Sequence, residues 1–154
     1  MKKIVIALLA VCLIAAAFTA CAPEIETAEY DLEKLATKIK DSGAFSDILS
    51  PIDDSIVPTL YGVYAADVED VVVFCSTGAT TEEIGIFKCV SEEAAQRVEE
   101  AAAKRIISQK NLYESYAPAE PPKLDDAVVK TEGLYVFYIV SVDTPKVEAV
   151  LDAK

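Results

Sequence analysis

Apolar residues along the chain fall into two periodicities, and these divide it into a short series of elements. From Asp31 to Ser42, Leu32, Leu35, Ala36 and Ile39 recur at three- and four-residue spacing. That spacing predicts a helix with one apolar stripe, capped by Asp31 and ended at Gly43. Residues 44–66 show no clear period. Pro51 and Pro58 punctuate them, a short helix fits Asp54 to Leu60 before Gly62, and Phe45, Ile48, Leu49 and Ile52 are expected to pack under the domain. Val71 to Cys75 and Ile84 to Val90 are apolar runs rich in β-branched residues, joined by the Ser/Thr/Gly stretch Ser76 to Thr81, and together they read as a β-hairpin. A long helix follows. Ser91 caps it, Glu92 and Glu93 suit the positive end of its dipole, and Ala95, Val98, Ala102 and Ile106 line one face. Pro118, Pro121 and Pro122 end this region. A second hairpin turns at Glu132-Gly133, and Thr144-Pro145 opens a last helix containing Val147, Val150 and Leu151.

The order is one helix and then strand–strand–helix twice. It predicts an α+β fold of two layers: a four-stranded antiparallel sheet from two ββα units, covered by helices. "VEDVVVF" and "LDDAVVK" echo one another ahead of the two hairpins, which suggests an internal duplication. A chain of 154 residues suits one domain, here residues 30–154.

Ahead of the domain, Lys2 and Lys3 precede an uncharged run from Ile4 to Ala22. A basic start, a short apolar core and a small-residue end describe a secretory signal peptide over residues 1–20. A transmembrane span is the competing reading, because the run approaches the roughly 20 residues a span needs. The terminal small residues and the absence of a basic stop-transfer flank favour the leader. Its last residues, Phe18-Thr19-Ala20-Cys21, resemble the bacterial lipoprotein lipobox at three of four positions, with Phe18 where an aliphatic is usual. The resemblance implies a diacylglycerol thioether on Cys21, which would become the mature N-terminus. Two or three acyl chains, at about 0.8 kcal/mol per buried CH₂, anchor stably where one does not. Ordinary cleavage after Ala22 is the alternative, and it would place Pro23 directly after the cut. Residues 21–29 then form a lipidated tether. Its eight residues after the cysteine reach at most about 30 Å. The expected location is the cell membrane, on its extracytoplasmic face.

Charge narrows the partners. The chain stands at −12, and loss of Lys2 and Lys3 with the leader takes it to −14. Such acidity argues against nucleic acid and against adhesion to anionic lipid by charge alone, leaving the lipid on Cys21 as the membrane attachment. A protein or small-molecule partner stays open.

Histidine is absent, which removes Ser-His-Asp, Cys-His and His-ligated metal chemistry. No S-x-x-K is present. No metal and no cofactor are expected. Cys12 is lost with the leader, and Cys75 and Cys89 lie in apolar strands, where each reads as a small core residue rather than half of a disulfide. Asp41-Ser42-Gly43 superficially matches the aspartic protease triplet but occurs once and fits a helix end better. Acid pairs at Asp53-Asp54, Glu69-Asp70, Glu82-Glu83, Glu92-Glu93, Glu99-Glu100 and Asp125-Asp126 read as solvated surface or helix starts. A calcium site or a glycosidase pair would need two of them to converge. The hydroxyls and amides of Ser76, Thr77 and Thr80 could cradle a polar ligand or simply form a turn. Tyr113 and Tyr116 could line a recognition surface or pack at the core margin.

Several of these stretches resemble the DUF4358 family of bacterial lipoproteins: Tyr61-Gly62, Ser76 to Thr80, Glu82-Glu83-Ile84 with Ile86-Phe87-Lys88, and Tyr113 to Tyr116 followed by "KLDDAVV". The resemblance runs from about residue 32 to residue 152. Gly85 and Cys89 stand where that family usually carries a small aliphatic. It implies export, lipid anchoring and a compact domain, and it brings no activity and no catalytic residues. The expected function is a non-catalytic, lipid-anchored binding domain, with Ser76, Thr77, Thr80, Tyr113 and Tyr116 as its candidate surface. A carboxylate-based envelope hydrolase and a structural component of an envelope complex are the alternatives.

Overall fold

A five-stranded antiparallel sheet divides the domain in the computed structural model, which describes residues 29–153. The leader, Cys21 and all of the tether but Glu29 lie outside the described residues. In chain order the elements are α1 (Leu32–Lys40), β1 (Ser50–Pro51), α2 (Val57–Tyr61), a 3-10 turn (Ala65–Asp67), β2 (Val68–Cys75), β3 (Glu83–Cys89), α3 (Glu92–Tyr113), α4 (Pro121–Asp125), β4 (Val128–Glu132), β5 (Tyr135–Val140) and α5 (Thr144–Asp152). The helix starts follow the capping residues. Asp31 accepts from the Lys34 N–H at 3.0 Å, Ser91 from Ala94 at 3.2 Å and Asp143 from Lys146 at 3.3 Å. None of the described helices is long and apolar enough to cross a membrane.

The α+β class is as expected, and two details are not. The sheet has five strands in the order β1-β2-β3-β5-β4, not four. The additional strand is the two-residue β1, opposite Cys75 and Phe74. It lies in the aperiodic stretch, and its Pro51 is tolerable only at a sheet edge. The layers number three, not two. Val72, Phe74, Ile84, Ile86, Phe137 and Ile139 meet α1 and α5 on one face; Val71, Val73, Phe87, Val136, Tyr138 and Val140 meet α2, α3 and α4 on the other. The physical reason is visible in β5, whose six residues are all buried. A strand with no polar face needs cover on both sides. Within residues 44–66, Leu49 is buried while Phe45 and Ile52 are partly so. Ile48, expected beneath the domain, is instead 76% exposed.

Strand register separates the cysteines. Cys75 faces Glu83 at one end of the β2–β3 ladder and Cys89 faces Val68 at the other, about 20 Å away along β3 at roughly 3.3 Å per residue. That distance excludes a disulfide, and both thiols are free. The same ladder separates the incoming chain from the hairpin loop. The Tyr30 N–H donates to the Tyr135 hydroxyl at 3.3 Å, the Tyr30 hydroxyl donates to Glu132 at 2.9 Å, and Glu29 lies 3.9 Å from Lys88. These contacts mark the Lys88–Tyr135 end of the sheet; the 76–82 loop leaves from the Glu83–Val140 end, about 17 Å along β3.

Gly85 lies opposite Tyr138 in the middle of the sheet. A Cβ there would stand 2.6 Å from the Tyr61 hydroxyl and 3.1 Å from Phe87 Cε2. The missing side chain is what lets the Tyr61 ring reach across the strand. Gly85→Ala is therefore expected to cost about 1–3 kcal/mol through overpacking. Denaturant unfolding measures this, and the midpoint should fall.

Candidate functional site

At the Glu83–Val140 end, the loop between β2 and β3 is stiffened from both sides. Asp47 accepts from the Thr77 hydroxyl at 3.1 Å and from the Thr77 N–H and Thr80 hydroxyl at 3.4 Å. The Ser76 hydroxyl donates to the Thr80 carbonyl at 2.6 Å and accepts from the Gly78 N–H at 3.3 Å. From α3, the Tyr113 hydroxyl reaches the Thr80 carbonyl at 2.8 Å and the Gly78 carbonyl at 3.1 Å. Tyr116 packs beside it, with ring centroids 4.9 Å apart. The five residues selected from the sequence thus come together. The Ser76 hydroxyl bonds within the loop and those of Thr77 and Thr80 bond Asp47, so these groups build and brace a turn. Among the side chains the region turns outward are two large apolar ones: Tyr116 is 56% exposed and Ile48, next to Asp47, 76%. The Asp47 carboxyl is held below its ordinary range, chiefly by the Ile48 N–H and further by Thr77 and Thr80.

Beneath the loop, Glu82 and Glu83 open the central strand. Neither is solvated surface, contrary to the reading of the acid pairs: they are 1% and 4% exposed. Side chains alternate along a strand, so the two carboxylates point to opposite faces. Glu82 accepts from the N–H groups of Ser46 at 2.8 Å and Asp47 at 3.0 Å, and from the Ser46 hydroxyl. Lys123 pairs with it at 3.0 Å and with Glu120 at 3.0 Å. Glu120 closes the chain on the Thr81 N–H at 2.9 Å and hydroxyl at 3.2 Å. Burial alone would raise the Glu82 pKa; Ser46, Asp47 and Lys123 outweigh it and hold the carboxyl below its usual range.

On the other face, Glu83 takes Arg105 in a fork, Nε at 3.0 and 3.1 Å and Nη2 at 2.8 Å. The Tyr61 hydroxyl adds a donor at 2.5 Å. Arg105 also donates to the Leu60 carbonyl at 3.0 Å, and its guanidinium lies 4.8 Å from the Tyr61 ring centroid. Its position, seven residues after Val98, places it on the buried stripe of α3. That placement was the available signal for an internal arginine. Burial, then the neighbouring Glu83, pushes the Cys75 thiol up to about 12, which keeps it protonated and a poor nucleophile at neutral pH. The Tyr138 hydroxyl beside this cluster is buried with no hydrogen-bond partner among the described residues. Burial also raises the Tyr61 pKa well above its ordinary value. Opposed faces prevent Glu82 and Glu83 from flanking one substrate bond, the arrangement a glycosidase needs.

Two outcomes follow from the paired carboxylates. Arg105→Met leaves Glu83 buried without its cation and is expected to lose about 3–5 kcal/mol of stability, part of which Glu83→Gln in the same chain restores; urea unfolding of the three variants reads this. Folding lowers the Glu82 pKa, so its stabilisation is complete above the unfolded value near 4.5 and is lost as pH falls through the folded value. Glu82→Gln should therefore weaken the domain at pH 7 and flatten the acid limb of its stability–pH curve.

A family model described as a domain of unknown function, DUF4358, matches residues 41–141, from the end of α1 to just past β5. The match contains the hairpin loop, both strand carboxylates, Arg105 and Lys123. No curated protein and no solved structure matches the chain. By this match across the sheet and its polar anchors, the chain belongs to the DUF4358 family.

Proposed function

We propose that this chain is a lipid-anchored extracytoplasmic domain, held through Cys21, which binds a partner at its far end and performs no chemistry. One observation carries the reading: the incoming chain and the apolar-tipped loops occupy opposite ends of the sheet. Tyr30 joins at Glu132 and Tyr135, whereas Ile48, Tyr116 and Val142 surround the other end, exposed by 76%, 56% and 49%. An anchor at Cys21 would join the domain through Tyr30, at the end of the sheet opposite those loops, on a tether of at most about 30 Å. A surface of exposed apolar tips on a hydrogen-bonded loop suits docking, because little ordering is needed on contact. The −12 charge of the full chain favours a protein or small molecule over nucleic acid. The pairing of Glu82 with Lys123 and of Glu83 with Arg105 supports a structural use of these acids rather than a catalytic one.

Fractionation tests the anchor. Wild-type protein should stay with washed membranes and Cys21→Ser should move to the soluble fraction; a variant that remains bound contradicts lipid attachment. In intact cells, a photo-crosslinker at position 116 should give a discrete adduct that Ile48→Asp abolishes, and no adduct removes the docking role.

A further inference from the structure

The segment after α2 stands away from α3 and leaves a groove of about 460 Å³ between them, within the usual range for small-molecule sites. One wall is a single stripe of α3: Arg97, Glu100, Ala101 and Lys104, at i, i+3, i+4 and i+7. The other wall is Gly62, Val63 and Tyr64, the last 73% exposed. Gly62 has a φ of 68° as the helix cap, and no atom lies within 4 Å of where its Cβ would stand, so that wall stays low.

Charge is arranged in this groove with more order than surface side chains need. Asp67, 7% exposed, accepts from Arg97 Nε at 2.8 Å and Nη2 at 2.6 Å. A buried carboxylate gripping one edge of a guanidinium fixes its plane, and the Nη1 edge is left for another acceptor. Glu100 and Lys104 are spaced for an i,i+4 pair, yet no ion pair joins them among the described residues. The groove therefore presents an Arg97–Asp67 pair and, over the next two turns of α3, the unpaired Glu100 and Lys104, and faces them with an aromatic ring. A polyanion would meet Glu100 and the chain's overall negative charge; a polycation would meet Arg97 and Lys104.

We propose that this groove binds a small zwitterion of the amino-acid type, either a free amino acid or a short peptide. Its carboxylate lies against Lys104 and its ammonium against Glu100, one helical turn away, with an apolar side chain against Tyr64 and Val63. The site is separate from the loop end of the sheet and does not involve Cys21, so its failure leaves the anchoring and docking roles intact.

The test is titration of the full chain in detergent micelles, followed by NMR at the amides of Gly62, Tyr64 and Ala101. The probes are L-leucine and L-leucyl-L-leucine, with leucinamide and N-acetyl-leucine as forms lacking the carboxylate and the ammonium. Saturable shifts confined to these amides are expected with a zwitterion, and tighter binding of one of the two identifies a free amino acid or a peptide as the source. Each capped form, and each of the surface variants Glu100→Gln and Lys104→Ala, should bind about tenfold more weakly at an unchanged unfolding temperature. Absence of a saturable shift with both zwitterions overturns the proposal. Equal binding by the capped forms does so too, because it reduces the groove to an apolar contact.

Discussion

Two neighbouring carboxylates at the head of the central strand tie the segments that pack around that end of the sheet. Because strand side chains alternate, Glu82 and Glu83 leave the sheet in opposite directions. Glu82 gathers Ser46, Asp47 and Lys123, and through Lys123 the Glu120–Thr81 link. Glu83 gathers Arg105 and Tyr61, which tie α3 and α2 to the other face. Burying a charge costs several kcal/mol unless it is paired and hydrogen-bonded, so each acid tolerates few arrangements of its surroundings. That narrowness, more than net stabilisation, is what such groups contribute. Apolar contacts supply the bulk of the energy, and the carboxylates select which packing is reached.

The sheet around them explains the remaining geometry. β3 and β5 are central and covered on both sides, so their residues must fit two cores. Gly85 is the clearest compromise, since its absent side chain is the space that the Tyr61 hydroxyl needs on the way to Glu83. The loop that follows β2 inherits this rigidity. Asp47 on one side and Tyr113 on the other hold it above the Glu82–Glu83 pair, and the apolar tips of Ile48 and Tyr116 are presented from a fixed frame. The opposite end of the sheet receives the chain at Tyr30. A single ladder thus sets the distance between the incoming chain at Tyr30 and the loop that follows β2.

Periodicity and capping made α1, α3, α5 and both hairpins legible, because the stripe of Leu32, Leu35, Ala36 and Ile39 and the caps at Asp31 and Ser91 are local signals, whereas the five-residue α4 at Pro121 reads in the sequence only as the end of the region before it. The third layer was less visible. Runs such as Val71 to Phe74 and Tyr135 to Val140 lack polar alternation, and that is the mark of strands covered twice. The two-residue β1 left no period to detect. The loop hydroxyls of Ser76, Thr77 and Thr80 and the tyrosines at the end of α3 were separate local signals, and nothing local said that Tyr113 would reach the loop carbonyls. An acid pair looks solvated until a strand buries it. The hint was its position directly ahead of an apolar strand, with Arg105 on the buried stripe of a distant helix. That pairing spans 22 residues and is a tertiary fact.

Hydrogen–deuterium exchange on the wild-type chain and on Glu82→Gln and Glu83→Gln separately tests the claim about these two acids most directly. If each carboxylate organises its own set of partners, Glu82→Gln should speed exchange in residues 44–48 and α4, whereas Glu83→Gln should do so in α2 and around Arg105 in α3. Identical patterns in the two variants, or unchanged protection in both, would contradict it.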